Sequence, residues 1–348
     1  RISMSFKRKF NTLIRKSDNS ICEFSNDNGI ELYIYDKNKE PICKKRLVTG
    51  INGFSNSFFN IDSNDSIYGI VSSKDNPLLY FYISSKFIYK SELLKSSNSI
   101  EKITFPYIKK IGDKIHIFYY LVDVTQVDRG KLIHYYYDGS NWNKSQIDNI
   151  EYFILSNFVV TFKEDVPTIF YLNSTKGHEE VFISNFNKDN LSWNHPVQVT
   201  NTHKTKVYLS VVEVPQNTYH IVFSEKNNDK YYCTYYSGQL KNNSFIKKDY
   251  FIIQDTIACE FPHILRIKNE LYIQWIEFSE LFTTFSKDNG FTWSKPNFFT
   301  NDSDNSVIRY DYKSNFIRDK NNDICNIYSY EDIFSILGIS SNPILLTN

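Results

Sequence analysis

Glycine is scarce in this chain and methionine nearly absent, with 11 and one among 348 residues. No run approaches the roughly 20 apolar residues that a membrane-crossing helix needs. There is no glycine-rich phosphate loop, no nucleophile elbow and no Cys-x-x-Cys pair, so phosphate-cradling, serine-hydrolase and zinc-ribbon chemistry have no foothold. The five cysteines (Cys22, Cys43, Cys233, Cys259 and Cys325) are scattered and odd in number, which argues against a disulfide framework. One pair, Cys22 with Cys43, is placed to bridge two strands of the first repeat in an oxidising compartment. Charge of one sign is also lacking. Forty basic and 39 acidic residues leave a formal charge of +1, so no global field favours nucleic acid or an anionic membrane. Residues 1–10 lack the apolar middle of a signal peptide. The protein is therefore either cytosolic or has lost a leader, and a secreted or cell-surface location is the expectation.

What the chain does have is aromatic residues, 28 Phe and 26 Tyr. They lie in short runs with Ile and Val, the composition of half-buried strands. Strands ending in an aromatic recur. Tyr119, Tyr171, Phe223 and Trp275 are each 52 residues apart, Tyr328 follows after 53, and Val71 and Tyr35 precede by 48 and 36. A second marker agrees: Trp142, Trp193 and Trp293 are separated by 51 and 100 residues, with Phe245 in the gap. A third, Phe105-Pro106 and Phe261-Pro262, is separated by 156, three periods of 52.

One unit, residues 100–147, reads as four short strands joined by turns at Gly112-Asp113-Lys114 and Gly139-Ser140-Asn141 and by a longer loop between them. A four-stranded antiparallel sheet that is apolar on both faces must be covered on both. Stacking such sheets about an axis does this and leaves only short edges. The expectation is an all-β, seven-bladed β-propeller over residues 17–348. Residues 1–16, five of them basic between residues 7 and 16, precede it as an arm or a closing strand.

Residues Ser286-Lys287-Asp288-Asn289-Gly290-Phe291-Thr292-Trp293 resemble the Asp-box, or sialidase-type (BNR) repeat, with Ser286, Asp288, Gly290, Thr292 and Trp293 at its defining positions. Degenerate copies occur at Asp138–Trp142 and Asp189–Trp193. In such a box the aspartate accepts hydrogen bonds from turn amides, the glycine takes positive φ and the tryptophan packs between blades. Its role is structural, and Trp293 is expected to be buried at the start of a fourth strand. The resemblance implies a fold similar to that of sialidases, related lectins and assembly factors. It does not extend to sialidase catalysis: Arg1-Ile2 is followed by Ser3 rather than the proline of an Arg-Ile-Pro motif, and Arg266 falls in a turn at the wrong mouth.

With no cofactor or metal expected, the preferred reading is a monomeric, non-catalytic recognition module for a glycan or protein. Its ligand is expected on the loop face opposite the Asp-box turns, where strand direction gathers Asp123, Glu225, Glu260, Glu277 and Arg309. The alternative is a glycoside hydrolase or lyase using paired carboxylates at the same mouth. Glu179 and Glu180 are adjacent on a strand and so point to opposite faces, which makes them a poor catalytic pair. His116 and His220 occupy one repeat position in different blades and read as packing residues.

Overall fold

The computed structural model describes residues 6–50, 56–73, 78–94, 100–253, 256–300, 304–331, 333–339 and 344–346. Two compact units emerge, one of Lys9–Ile150 with Arg309–Lys320 and one of Glu151–Ile308 with Arg1–Arg8 and Asn321–Leu346. Both are built of antiparallel β-sheet.

In the first unit β1 (Phe6–Arg15), β2 (Ile21–Asn26), β3 (Gly29–Tyr35) and β4 (Pro41–Thr49) pair in chain order. So do β5 (Ser57–Ile61), β6 (Ile67–Ser72), β7 (Leu78–Ile83) and β8 (Ile88–Leu94), followed by β9 (Glu101–Ile111), β10 (Lys114–Asp123), β11 (Arg129–Tyr137) and β12 (Trp142–Glu151). In the second unit β13 (Val159–Lys163), β14 (Val166–Thr175), β15 (His178–Asn187) and β16 (Ser192–Trp193) form a sheet in which β17 (Val197–Gln198) also pairs with β15. The next two sheets are β18 (Lys206–Val214), β19 (Thr218–Asn227), β20 (Lys230–Lys241), β21 (Ser244–Ile252), then β22 (Glu260–Ile267), β23 (Glu270–Glu277), β24 (Glu280–Ser286), β25 (Asn297–Phe298). The last strands are β26 (Val307–Ser314), β27 (Asn326–Tyr330), β28 (Ser335–Ile336) and β29 (Ile344–Leu345).

Burial falls from the middle of each sheet to its last strand. All six residues of β6 are buried, whereas β4, with Lys44, Lys45 and Arg46, is mostly exposed, and charge on an edge strand discourages pairing with another chain. Apolar side chains of neighbouring sheets interleave. Phe170, Val181 and Ile183 of one sheet join Leu209, Ile221 and Phe223 of the next in a single cluster, and Val222, Cys233 and Tyr235 join Ile264, Ile273 and Trp275. Two-residue hairpins at Lys176-Gly177, Asn242-Asn243 and Phe278-Ser279 have positive φ at both positions, the turn whose twist matches that of the strands. The Phe-Pro marker has a structural cause: Phe105 and Phe261 take φ of 51° and 49° where the strand register shifts. A bulge is where a first strand tolerates a proline. Tyr208, at φ 63°, makes the same bulge in β18 without a proline to announce it.

The expectation of seven blades is corrected to six. Among the described residues six sheets have four or more strands, because β26 and β27 join the first sheet in the order β27-β26-β1-β2-β3-β4, and β28 and β29 pair only with each other. Counting aromatic-ended strands overcounts sheets here, since the edge of β1 is satisfied by β26 and the two sets of strands become one blade. Val71, Tyr119, Tyr171, Phe223 and Trp275 do lie on the second strands of their sheets, but Tyr35 ends β3 and Tyr328 lies in β27. Of the expected N-terminal arm, residues 1–5 lie outside the described residues, and Phe6–Arg15 is a regular strand. Cys22 and Cys43 both sit opposite Ile34, one on each side of β3. Two strand spacings, about 9.5 Å, exceed the roughly 7 Å that a disulfide spans, so this pair is not a bridge.

Candidate ligand-binding site

The residues singled out by sequence divide between the units. Asp123 and Arg309 lie in the first, on β10 and β26, and Glu225, Glu260 and Glu277 in the second, on β19, β22 and β23. Exposed Asp123 turns back on its own loop, accepting hydrogen bonds from Thr125 N (2.8 Å) and Thr125 Oγ1 (2.6 Å), which hold its carboxyl below the ordinary range. Glu260 pairs with Arg8, whose guanidinium also lies over the Phe261 ring. Glu277 is buried, and its Oε1 accepts Ile257 N and Ala258 N, each at 2.7 Å. Asn173, at the same repeat position, likewise accepts Glu151 N at 2.9 Å. That position grips the segment entering the blade. Although Glu260 lies opposite Ile276, next to Glu277, the two carboxyl groups are held by different partners.

Glu225 does something else. Its Oε2 lies 3.2 Å from Lys206 Nζ and accepts Thr202 Oγ1 at 2.7 Å, while its Oε1 accepts Tyr250 OH at 2.5 Å. Glu180 completes the group: Oε2 is 2.9 Å from Lys206 Nζ and 2.5 Å from Thr200 Oγ1, and Oε1 accepts His203 N at 2.7 Å. Lys206 is fully buried, as is Glu180. Its ammonium also donates to Thr202 Oγ1 (2.7 Å) and to the carbonyls of Lys204 (2.7 Å) and Glu179 (3.1 Å). Removing three charges from water costs several kcal/mol per ion, and this dense set of partners offsets the cost. Burial and the bond to Glu225 push the Tyr250 hydroxyl far above its usual range. Glu179 points elsewhere, accepting Phe153 N at 2.6 Å. The sequence reading missed Lys206. Its only signal is a lysine opening an apolar strand, and its partners lie 26 and 19 residues away.

Above this cluster lies an open cavity of about 260 Å³, lined by Thr175, Lys176, Gln198, Val199, Thr200 and Asn201. Lys176 stands on the β14–β15 hairpin, and Gln198 Nε2 bonds the Thr200 carbonyl at 2.7 Å. Thr200 connects cavity and cluster, because its hydroxyl is spent on Glu180 and on Val181 N (2.9 Å). Glu179, one residue past His178 of that hairpin, anchors the loop that carries Phe153, a ring 78% exposed to solvent. Along β15 the cavity lies at the opposite end from the Asn187–Ser192 turn.

The Ser286–Trp293 residues form one local network. Asp288 Oδ1 accepts Ser286 Oγ and Thr292 N, each at 2.8 Å, its Oδ2 accepts Thr292 Oγ1, Ser286 Oγ accepts Gly290 N (2.8 Å), and Trp293 Nε1 donates to Gly290 O (3.1 Å). These bonds, those from Thr292 foremost, hold the Asp288 carboxyl down to about 2. The turn plugs against the preceding sheet, with Trp293 edge-on to Tyr235 at 5.0 Å and Asn289 Oδ1 3.2 Å from His220 Nε2. Burial pushes His220 down to about 4. Trp293 differs from expectation. It is half-buried and precedes β25 rather than opening it, because the chain must complete the Ser286–Trp293 turn before it pairs with β24, first at Ser294 N to Phe285 O. Among the described residues no group of three His, Cys, Asp or Glu side chains converges as a metal site.

These sheets define an all-β protein of the β-propeller class. No family model matches the chain, and no curated protein matches it. Solved structures do. An ulvan lyase of polysaccharide lyase family PL25 shares 9% identity at a TM-score of 0.61, over 94% of this chain and 92% of that one. The lectin BP39L of Burkholderia pseudomallei shares 10% at 0.58, over 88% and 89%. The GH93 α-L-arabinofuranosidase of Fusarium graminearum, solved with arabinobiose, shares 12% at 0.53, over 73% and 83%. At such identities the likeness is one of fold.

Proposed function

We propose that this chain is a non-catalytic, glycan-binding β-propeller module whose ligand enters the cavity at Thr175, Lys176 and Gln198–Asn201. The observation that carries this reading is the polar, open cavity at the hairpin end of β14 and β15, and the exposed Phe153 ring stands on the loop that Glu179, next to that hairpin, anchors. Amide and ammonium donors suit sugar hydroxyls, and an electron-rich ring face suits the C–H face of a pyranose. The fold neighbours, a lectin and two polysaccharide- or arabinoside-cleaving enzymes, are consistent with a glycan ligand. We read Ser286–Trp293 as a true Asp-box, and the cavity's place at the far end of β15 from the box-like turn supports a ligand face opposite such turns. A glycosidase or lyase reading is weaker, because Glu180, Glu225 and Glu277 are buried and committed to other groups, so none of these three is poised as a general acid. Of the residues singled out by sequence, Glu225 supports this cavity from behind through Lys206 and Glu180, while Asp123, Glu260, Glu277 and Arg309 remain contact candidates each within its own unit.

A glycan array followed by titration of any hit tests this. Phe153→Ala and Asn201→Ala are each expected to weaken binding on the order of tenfold, about 1.4 kcal/mol, with the unfolding midpoint unchanged. Release of shortened or unsaturated sugar from the bound glycan would replace the binding reading with an enzymatic one, and full affinity in both variants would move the site elsewhere.

A further inference from the structure

Cys233 and Cys259 carry a feature that glycan binding does not use. Cys233 lies in β20 directly opposite Ser224 of β19, so both side chains leave the sheet on one face. The chain entering β22 crosses that face: Cys259 N donates to Tyr231 O (2.9 Å), Ser224 Oγ donates to Cys259 O (2.9 Å), and Ala258 bridges to Tyr231. Both cysteines are buried in the apolar cluster between the two sheets, and Ser224, beside Cys233 across the ladder, holds the Cys259 carbonyl.

We infer that Cys233 and Cys259 form an intramolecular disulfide when the chain folds in the presence of a low-molecular-weight disulfide such as oxidised glutathione. One cysteine thiolate attacks the oxidant's sulfur, giving a mixed disulfide and one reduced thiol. The second cysteine then displaces the other half, so that two protein thiols become one S–S bond and the oxidant, reduced by two electrons, leaves as two thiols that take up the two protons. Exchange belongs to folding, before the sheets close. In the native protein burial pushes the Cys259 thiol well above its ordinary range, which leaves little thiolate to react. The bond would fasten β20 to the segment whose amides Glu277 grips.

The full chain, reduced and unfolded, is refolded in a glutathione redox mixture, then alkylated under denaturing conditions and mapped by mass spectrometry. Expected are a joined peptide containing Cys233 and Cys259, alkylation of the other three of the five cysteines, and an unfolding midpoint that falls when reductant is added. The Cys22→Ala/Cys43→Ala/Cys325→Ala variant keeps only the pair and should behave the same way. Cys233→Ala should lose the reductant response. Five alkylated cysteines in the refolded protein, or a joined peptide from any other pair, overturns the inference.

Discussion

Gly290 shows how much one residue of the Ser286–Trp293 turn is constrained. At φ +87° an L side chain is disfavoured, and a Cβ there would come within 2.1 Å of the Tyr235 hydroxyl and 3.2 Å of His220 Nδ1. Tyr235 is not free to yield, since it is fully buried, bonded to His220 at 2.7 Å and packed on Trp293. Gly290→Ala therefore combines the backbone penalty, about 1 kcal/mol, with overpacking of about 1–3 kcal/mol. Chemical denaturation should show a loss of roughly 2–4 kcal/mol with an unchanged slope, and a loss within experimental error would mean that the plug is loose. At this scale the turn was readable from sequence. Ser286–Trp293 is a contiguous pattern whose hydrogen bonds close within eight residues, so the turn needs no distant partner to form. Trp293's half-burial was not readable, because it depends on Tyr235 in the neighbouring sheet.

At the scale of strands, Lys206 holds three elements together: Glu180 from β15, Glu225 from β19 and its own β18. Lys206→Met would leave two buried carboxylates facing each other without a cation. Breaking a buried pair in this way costs about 3–5 kcal/mol, and the unfolding free energy should fall by that much. Adding Glu180→Gln and Glu225→Gln to the same chain should recover a large part of it, because no uncompensated charge then remains. If the triple variant were as unstable as the single one, packing rather than charge would be the cause. The period of about 52 residues placed Val71, Tyr119, Tyr171, Phe223 and Trp275 on second strands because each lies in a repeated local strand pattern. The cluster was hidden for the opposite reason. Glu179-Glu180 reads as two ordinary charges until the register brings Thr200, His203 and Lys206 against one of them. The blade count failed for a related reason, since whether β26 pairs with β1 is a matter of partner choice that no periodicity encodes.

For the whole molecule the governing number is the balance of 40 basic against 39 acidic residues. With a formal charge of +1 there is no long-range attraction to lose when salt is added, so any salt dependence of binding must come from charges at the site itself. Lys176 is the one charged residue in the cavity lining. The ions beneath it, two carboxylates on one ammonium, are buried, and buried charges are screened little. Raising salt from about 0.1 to 1 M shortens the screening length from about 10 to 3 Å. A neutral glycan held by amides, carbonyls and the Phe153 face should keep its affinity within about twofold across that range, since contacts of that kind carry no net charge to screen. Isothermal titration at both salt concentrations, with Lys176→Gln beside the wild type, separates the cases. Salt-insensitive binding that survives the substitution fits a neutral sugar. Affinity that drops steeply with salt, and drops equally in Lys176→Gln at low salt, would instead identify a carboxylated or sulfated polysaccharide with Lys176 as its anchor.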